Sequence, residues 1–173
     1  MAGSARSERG ENSFEGRKLF TVEQANAALP LVRAIATDLA ELARDVIERR
    51  ERVKAILAMR ERMGDRRSAN PYDEEVALVE EELDRDIRRL QEYVEELRAL
   101  GVEPKGATEG LVDFPAIMDG RPVYLCWKVG EPEVLYWHEL DAGFPGRQPL
   151  YADSGVSGSR SEDAVDPSEP PAE

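Results

Sequence analysis

LVDFPAIMDGRPVYLCWKVGEPEVLYWHEL, residues 111–140, is the stretch on which the fold turns. Its apolar residues alternate, as in half-buried strands, with turn residues set between the runs. Leu111 to Met118 reads as one strand, Pro122 to Val129 as a second and Val134 to Leu140 as a third. Asp119-Gly120 is a two-residue hairpin signal, and Gly130-Glu131-Pro132-Glu133 closes the second turn. Pro115 and Pro122 lack the N–H that a central strand needs, so each calls for an edge position or a local irregularity.

Register follows from the turns. A two-residue turn at Asp119-Gly120 sets Asp113 opposite Cys126, and a three-residue loop of Glu131, Pro132 and Glu133 sets Cys126 opposite His138. One face then carries Val112, Phe114, Ala116, Val123, Leu125, Trp127, Val129, Leu135 and Trp137, a core face on which the tryptophans act as anchors. The other carries Asp113, Tyr124, Cys126, Lys128, Tyr136 and His138. A slip of one residue would exchange the faces.

On the N-terminal side the period changes to helical. Thr21 and Gln24 have capping-box spacing before a helix starting at Val22, and Pro30 is expected to kink or restart it. Val32, Ile35, Leu39, Leu42, Val46, Val53, Ile56 and Met63 form a coiled-coil-like stripe, with Arg49 and Arg60 at two of its apolar places. After a break from Gly64 to Pro71, a second stripe runs through Val76, Val79, Leu83, Ile87, Leu90, Val94 and Leu97 to Gly101, a left-handed terminator. Helices of roughly 50 and 40 Å follow from a rise of 1.5 Å per residue. So small a C-terminal module cannot cover both stripes, and pairing of two chains into a four-helix bundle is the expected solution.

Composition sets the remaining bounds. The chain has 173 residues, 36 acidic and 23 basic, and a formal net charge of −13, which weighs against an electrostatic grip on nucleic acid. It carries no apolar run of membrane-spanning length and no apolar segment of signal-peptide type near its start, so membrane insertion and secretion are not expected. The single cysteine, Cys126, suits a reducing, cytoplasmic setting. Residues 1–18 and the acidic segment 152–173 have little to bury and read as disordered tails around one domain, 19–151, composed of a helical hairpin (19–101) and a meander with a wrapping loop (102–151).

The Asp113, Cys126 and His138 row offers oxygen, sulfur and nitrogen donors of the kind zinc or another transition metal takes, and Asp141 is a candidate fourth donor. The bland alternative is a half-exposed face on which His138 bonds a carboxylate and Cys126 packs as a small hydrophobe. A Cys126 nucleophile with His138 as base finds no oxyanion hole in the pattern. Arg60, Arg62, Arg66 and Arg67 cluster at the hairpin tip and read as solvated or paired. Arg147 is either an anion clamp or a partner of Asp141 or Glu139. Tyr124, Lys128, Tyr136 and Arg147 are the candidate ligand- or partner-binding residues.

FTVEQANAALPLV near the start and GLVDFPAIMDGRPVYLCWKVGEPEVLYWHELDAGFPGRQPL later resemble a family of small bacterial proteins known as a domain of unknown function, family 2203, over about residues 19–151. The resemblance implies a bacterial cytosolic protein and carries no activity, cofactor or partner with it. The expected fold is therefore α+β, a long antiparallel helical hairpin followed by a three-stranded antiparallel meander. The expected function is a cytosolic binding or assembly module, dimeric through its helices, that presents the polar sheet face to a ligand or partner. The alternative is a metal-dependent enzyme using Asp113, Cys126 and His138, with Glu139 as general base.

Overall fold

The structure, a computed structural model, describes residues 14–63 and 71–151. The expectation of disorder for residues 152–173 and for residues 1–13 of the segment 1–18, and the tip residues Arg66 and Arg67, lie outside these. Helix α1 (Val22–Met63) and helix α2 (Pro71–Ala99) precede strands β1 (Glu103–Gly106), β2 (Leu111–Met118), β3 (Arg121–Lys128), β4 (Tyr136–Glu139) and β5 (Gln148–Pro149). The architecture is α+β as expected, but the antiparallel sheet has five strands in the order β1-β2-β3-β4-β5, not three. The additional strands are short segments, EPKG and QP, whose sequence lacks the alternation that marks the central three.

The capping box forms as read, with Thr21 N–H donating to Gln24 Oε1 at 3.0 Å and Gln24 N–H to Thr21 Oγ1 at 3.2 Å. Contrary to the expected restart, α1 continues through Pro30. Leu29 and Val32, on either side of it, are both buried in the core, so tertiary packing offsets the lost backbone bond. At its far end α2 stops in a Schellman motif. Gly101 has φ +87°, its N–H donates to the Arg98 carbonyl at 2.9 Å, and the Val102 N–H reaches Leu97 O at 3.0 Å, with Val102 and Leu97 themselves fully buried.

The helices run antiparallel. Arg49 pairs with Asp86 near the middle and Arg60 with Asp73 toward the tip, each at 2.5 Å. The two arginines that interrupt the apolar stripe thus each make an ion pair across the hairpin.

At the sheet end, the predicted core face packs on α1 and α2. Val112, Phe114, Val123, Leu125 and Trp127 join Phe20, Ala25, Val32, Leu39 and Leu97 in one cluster, and Trp137 packs at its margin. Asp119 (φ 51°) and Gly120 (φ 73°) are both left-handed, as a type I′ hairpin requires, and Asp113 lies opposite Cys126 as predicted. The Pro115 carbonyl accepts from Phe20 N–H at 2.8 Å, on the side of β2 facing away from β3, so the missing proline N–H lies at a stretch of edge that β1 does not reach.

The second turn differs. His138 lies opposite Tyr124, and Cys126 opposite Tyr136, a shift of two positions from the predicted register. The connection is longer than three residues because α1 holds it. Val134 N–H donates to Asn26 Oδ1 at 2.8 Å, the Arg33 guanidinium donates to the Pro132 carbonyl at 2.6 Å, and the Val134 side chain is buried. Two positions is one full period of the pleat, so the paired side chains keep their predicted faces, but β4 begins only at Tyr136 and, ahead of it, Val134 enters the core in place of the expected Leu135.

Candidate functional site

The opposite face of the sheet is not half-exposed. Asp113 and His138 are each 2% exposed and Cys126 is fully buried, with Tyr124 beside them. Phe14 provides one cover, its ring edge-on to Tyr124 at 5.3 Å, and Arg147 another, its guanidinium stacked over Tyr136 at 4.2 Å and Phe144 at 4.8 Å. Phe14 falls within the segment read as a tail.

Asp113 projects from β2, Cys126 from β3 and His138 from β4, and one ligand atom from each lies within 4.8 Å of the others. The two-position shift turns the expected straight row into a diagonal without dispersing it. His138 Nε2 stands 3.1 Å from Asp113 Oδ2, and Nδ1 stands 2.7 Å from the Glu139 carbonyl oxygen. A carbonyl only accepts, so Nδ1 carries a proton. One further proton must then lie between Nε2 and Asp113, as either an imidazolium-carboxylate pair or a neutral imidazole with a carboxylic acid. Burial pushes the Asp113 carboxyl above the usual carboxylate range, against the pull of His138 and Lys105. Burial and the neighbouring Asp113 push the Cys126 thiol well up, so it is protonated and not nucleophilic at neutral pH. Asp113 Oδ1 is buried with no hydrogen-bond partner.

Two ion pairs flank the cluster. Arg147 pairs with Glu131 at 2.7 Å and also reaches the Cys126 carbonyl at 3.4 Å; neither Asp141 nor Glu139 is its partner. Lys105 pairs with Glu103 at 2.6 Å, and Glu103 also accepts from Tyr124 Oη at 3.1 Å and from Arg17. Of the other candidates, Lys128 lies against the Phe144 ring, Glu139 pairs with Arg121, and Asp141 is exposed and outside the cluster. Phe14, Glu103, Lys105 and Glu131 were not among the predicted residues. Each reaches the site through a turn or an edge strand, where local pattern carries no signal.

A second feature lies along the helices. Leu83 and Leu97 are buried, but Val76, Val79, Ile87, Leu90 and Val94 of the α2 stripe stay partly exposed, and Ile56 and Leu57 of α1 are 43% and 39% exposed. Val53, Leu57, Ala58, Leu83 and Ile87 floor an open groove of about 590 Å³ between the helices. Arg50, Lys54 and Glu61 stand on its α1 wall, Glu80 and Asp84 on its α2 wall. A second depression, lined by Leu39, Leu90 and Val94, shares Ile87 and extends it toward the sheet. No helix among the described residues is long and apolar enough to cross a membrane.

No curated protein and no solved structure matches the chain. A family model described as an uncharacterized conserved protein, DUF2203, matches residues 18–150, which takes in both helices, all five strands and each residue of the buried cluster. The chain therefore belongs to the DUF2203 family.

Proposed function

We propose that the protein is an assembly module in which the hairpins of two copies pack groove to groove as a four-helix bundle. The observation that carries this reading is the partly exposed apolar stripe, which one hairpin leaves open on one side. From residue 80 to residue 98 the combined groove runs roughly 27 Å, and two helices side by side present about 20 Å of width. The face is then on the order of 500–600 Å² per copy, enough to clear the roughly 1,000 Å² total of a specific interface.

Charge selects a second copy as the occupant. With a two-fold axis parallel to the helices, α1 of each copy meets α2 of the other. Arg50 and Lys54, which outnumber Glu61 on the α1 wall, then face the acidic wall of Glu80 and Asp84. An axis across the helices would set each wall against its like.

Sedimentation of the full chain should give a dimer at micromolar concentration. Leu57→Glu with Ile87→Glu should give a monomer of unchanged helical content, because both side chains are partly exposed. A monomeric unmodified protein would overturn the reading. The metal-dependent enzyme receives less support, because side chains at 2% exposure or less offer a substrate no approach.

A further inference from the structure

The geometry points to a structural binding site for one divalent transition metal, with zinc the best fit, formed by Asp113, Cys126 and His138. This site is independent of the helical interface. Three donor types of the set zinc prefers converge from three strands. The His138 ring is already oriented as in a metal site, its Nδ1–H held by the Glu139 carbonyl and its Nε2 turned toward the other donors. Asp113 Oδ1 is buried without a hydrogen-bond partner, and the Cys126 thiol lies beside the same carboxylate.

Charge balance makes the exchange feasible in a buried place. Without metal the cluster holds the Cys126 thiol proton and the proton shared by Asp113 and His138, and is neutral overall. With metal those two protons leave, and a thiolate, a carboxylate and a neutral imidazole surround a dication, again with no net charge. Replacing two protons by one divalent ion therefore adds no buried charge. The flanking cations do not oppose it, since Arg147 and Lys105 are each paired with their own carboxylate. Bonds of about 2.0–2.3 Å place tetrahedral donors roughly 3.3–3.8 Å apart, so separations of up to 4.8 Å in the set close by at most about an ångström while the 3.1 Å between Nε2 and Oδ2 opens slightly. Three protein donors leave the fourth position to a water molecule.

The test uses the untagged full chain, stripped by unfolding in chelator and refolded with cobalt(II) or zinc alone. One equivalent of cobalt should be retained, with a thiolate-to-cobalt charge-transfer absorption, and each zinc bound should release close to two protons at neutral pH. Cys126→Ser should abolish the charge-transfer band, and His138→Gln should weaken zinc binding by about 100-fold or more. Should a variant fail to refold, the unmodified chain decides alone. Refolding with cobalt but without stoichiometric uptake or a thiolate band overturns the site, as does a band that survives in Cys126→Ser.

Discussion

His138 Nε2 and Asp113 Oδ2 meet at 3.1 Å although their strands, β4 and β2, are not neighbours and β3 runs between them. They close over β3 where its outward residue is Cys126, small enough to leave room for two longer side chains above it. The contact ties three strands together with a single buried proton.

That proton makes the choice of substitution at Asp113 informative. With Nδ1–H committed to Glu139, a neutral His138 offers Nε2 as an acceptor, and an asparagine amide can donate to it. Asp113→Asn should therefore cost under about 1 kcal/mol, while Asp113→Ala leaves the imidazole unsatisfied and costs about 1–3 kcal/mol. Urea denaturation of the metal-free protein measures both. Equal losses would show that the charged pair is the native form.

Glu131 and Arg121 separate a part-buried ion pair from a surface one. The Glu131 carboxylate receives Arg147 at 2.7 Å and the Lys128 N–H at 2.9 Å, and the Arg147 side chain is 11% exposed. Glu131→Ala leaves that guanidinium unpaired and should cost about 3 kcal/mol. Arg121→Ala breaks only the exposed pair with Glu139 and should change stability by less than about 0.5 kcal/mol. Thermal or chemical denaturation that ranks the two the other way would show that the loop does not depend on Glu131.

Acid stability should depend on Glu103. Partial burial raises its carboxyl, but Lys105, the Tyr124 hydroxyl and Arg17 outweigh that and hold it below the ordinary value of 4.5. A depressed folded value means stabilisation that is complete above 4.5 and lost as pH falls below it through the folded value. Glu103→Gln should thus flatten the acid limb of the stability profile and lower stability at neutral pH. An acid limb of unchanged slope in the variant would exclude Glu103 as a source of that dependence.

The features legible in the sequence are those set by neighbours along the chain. The Thr21/Gln24 box, the Gly101 terminator and the Asp119-Gly120 hairpin each depend on a few consecutive residues, and the alternation within the three central strands assigned their side chains to faces, failing only ahead of β4, where Val134 and not Leu135 enters the core. Because the pleat repeats every two residues, that assignment survived an error in the second turn, and with it the grouping of Asp113, Cys126 and His138. Tertiary structure decided what depends on distant partners. Asn26 and Arg33 hold the longer loop, the core packs on both sides of Pro30 where α1 continues through it, and Phe14 and Arg147 cover a face whose own residues read as half-exposed. A strand's pattern records which of its sides is apolar. Whether the polar side meets water is decided by segments far away in the chain, which here bring aromatic rings and a paired arginine to cover it.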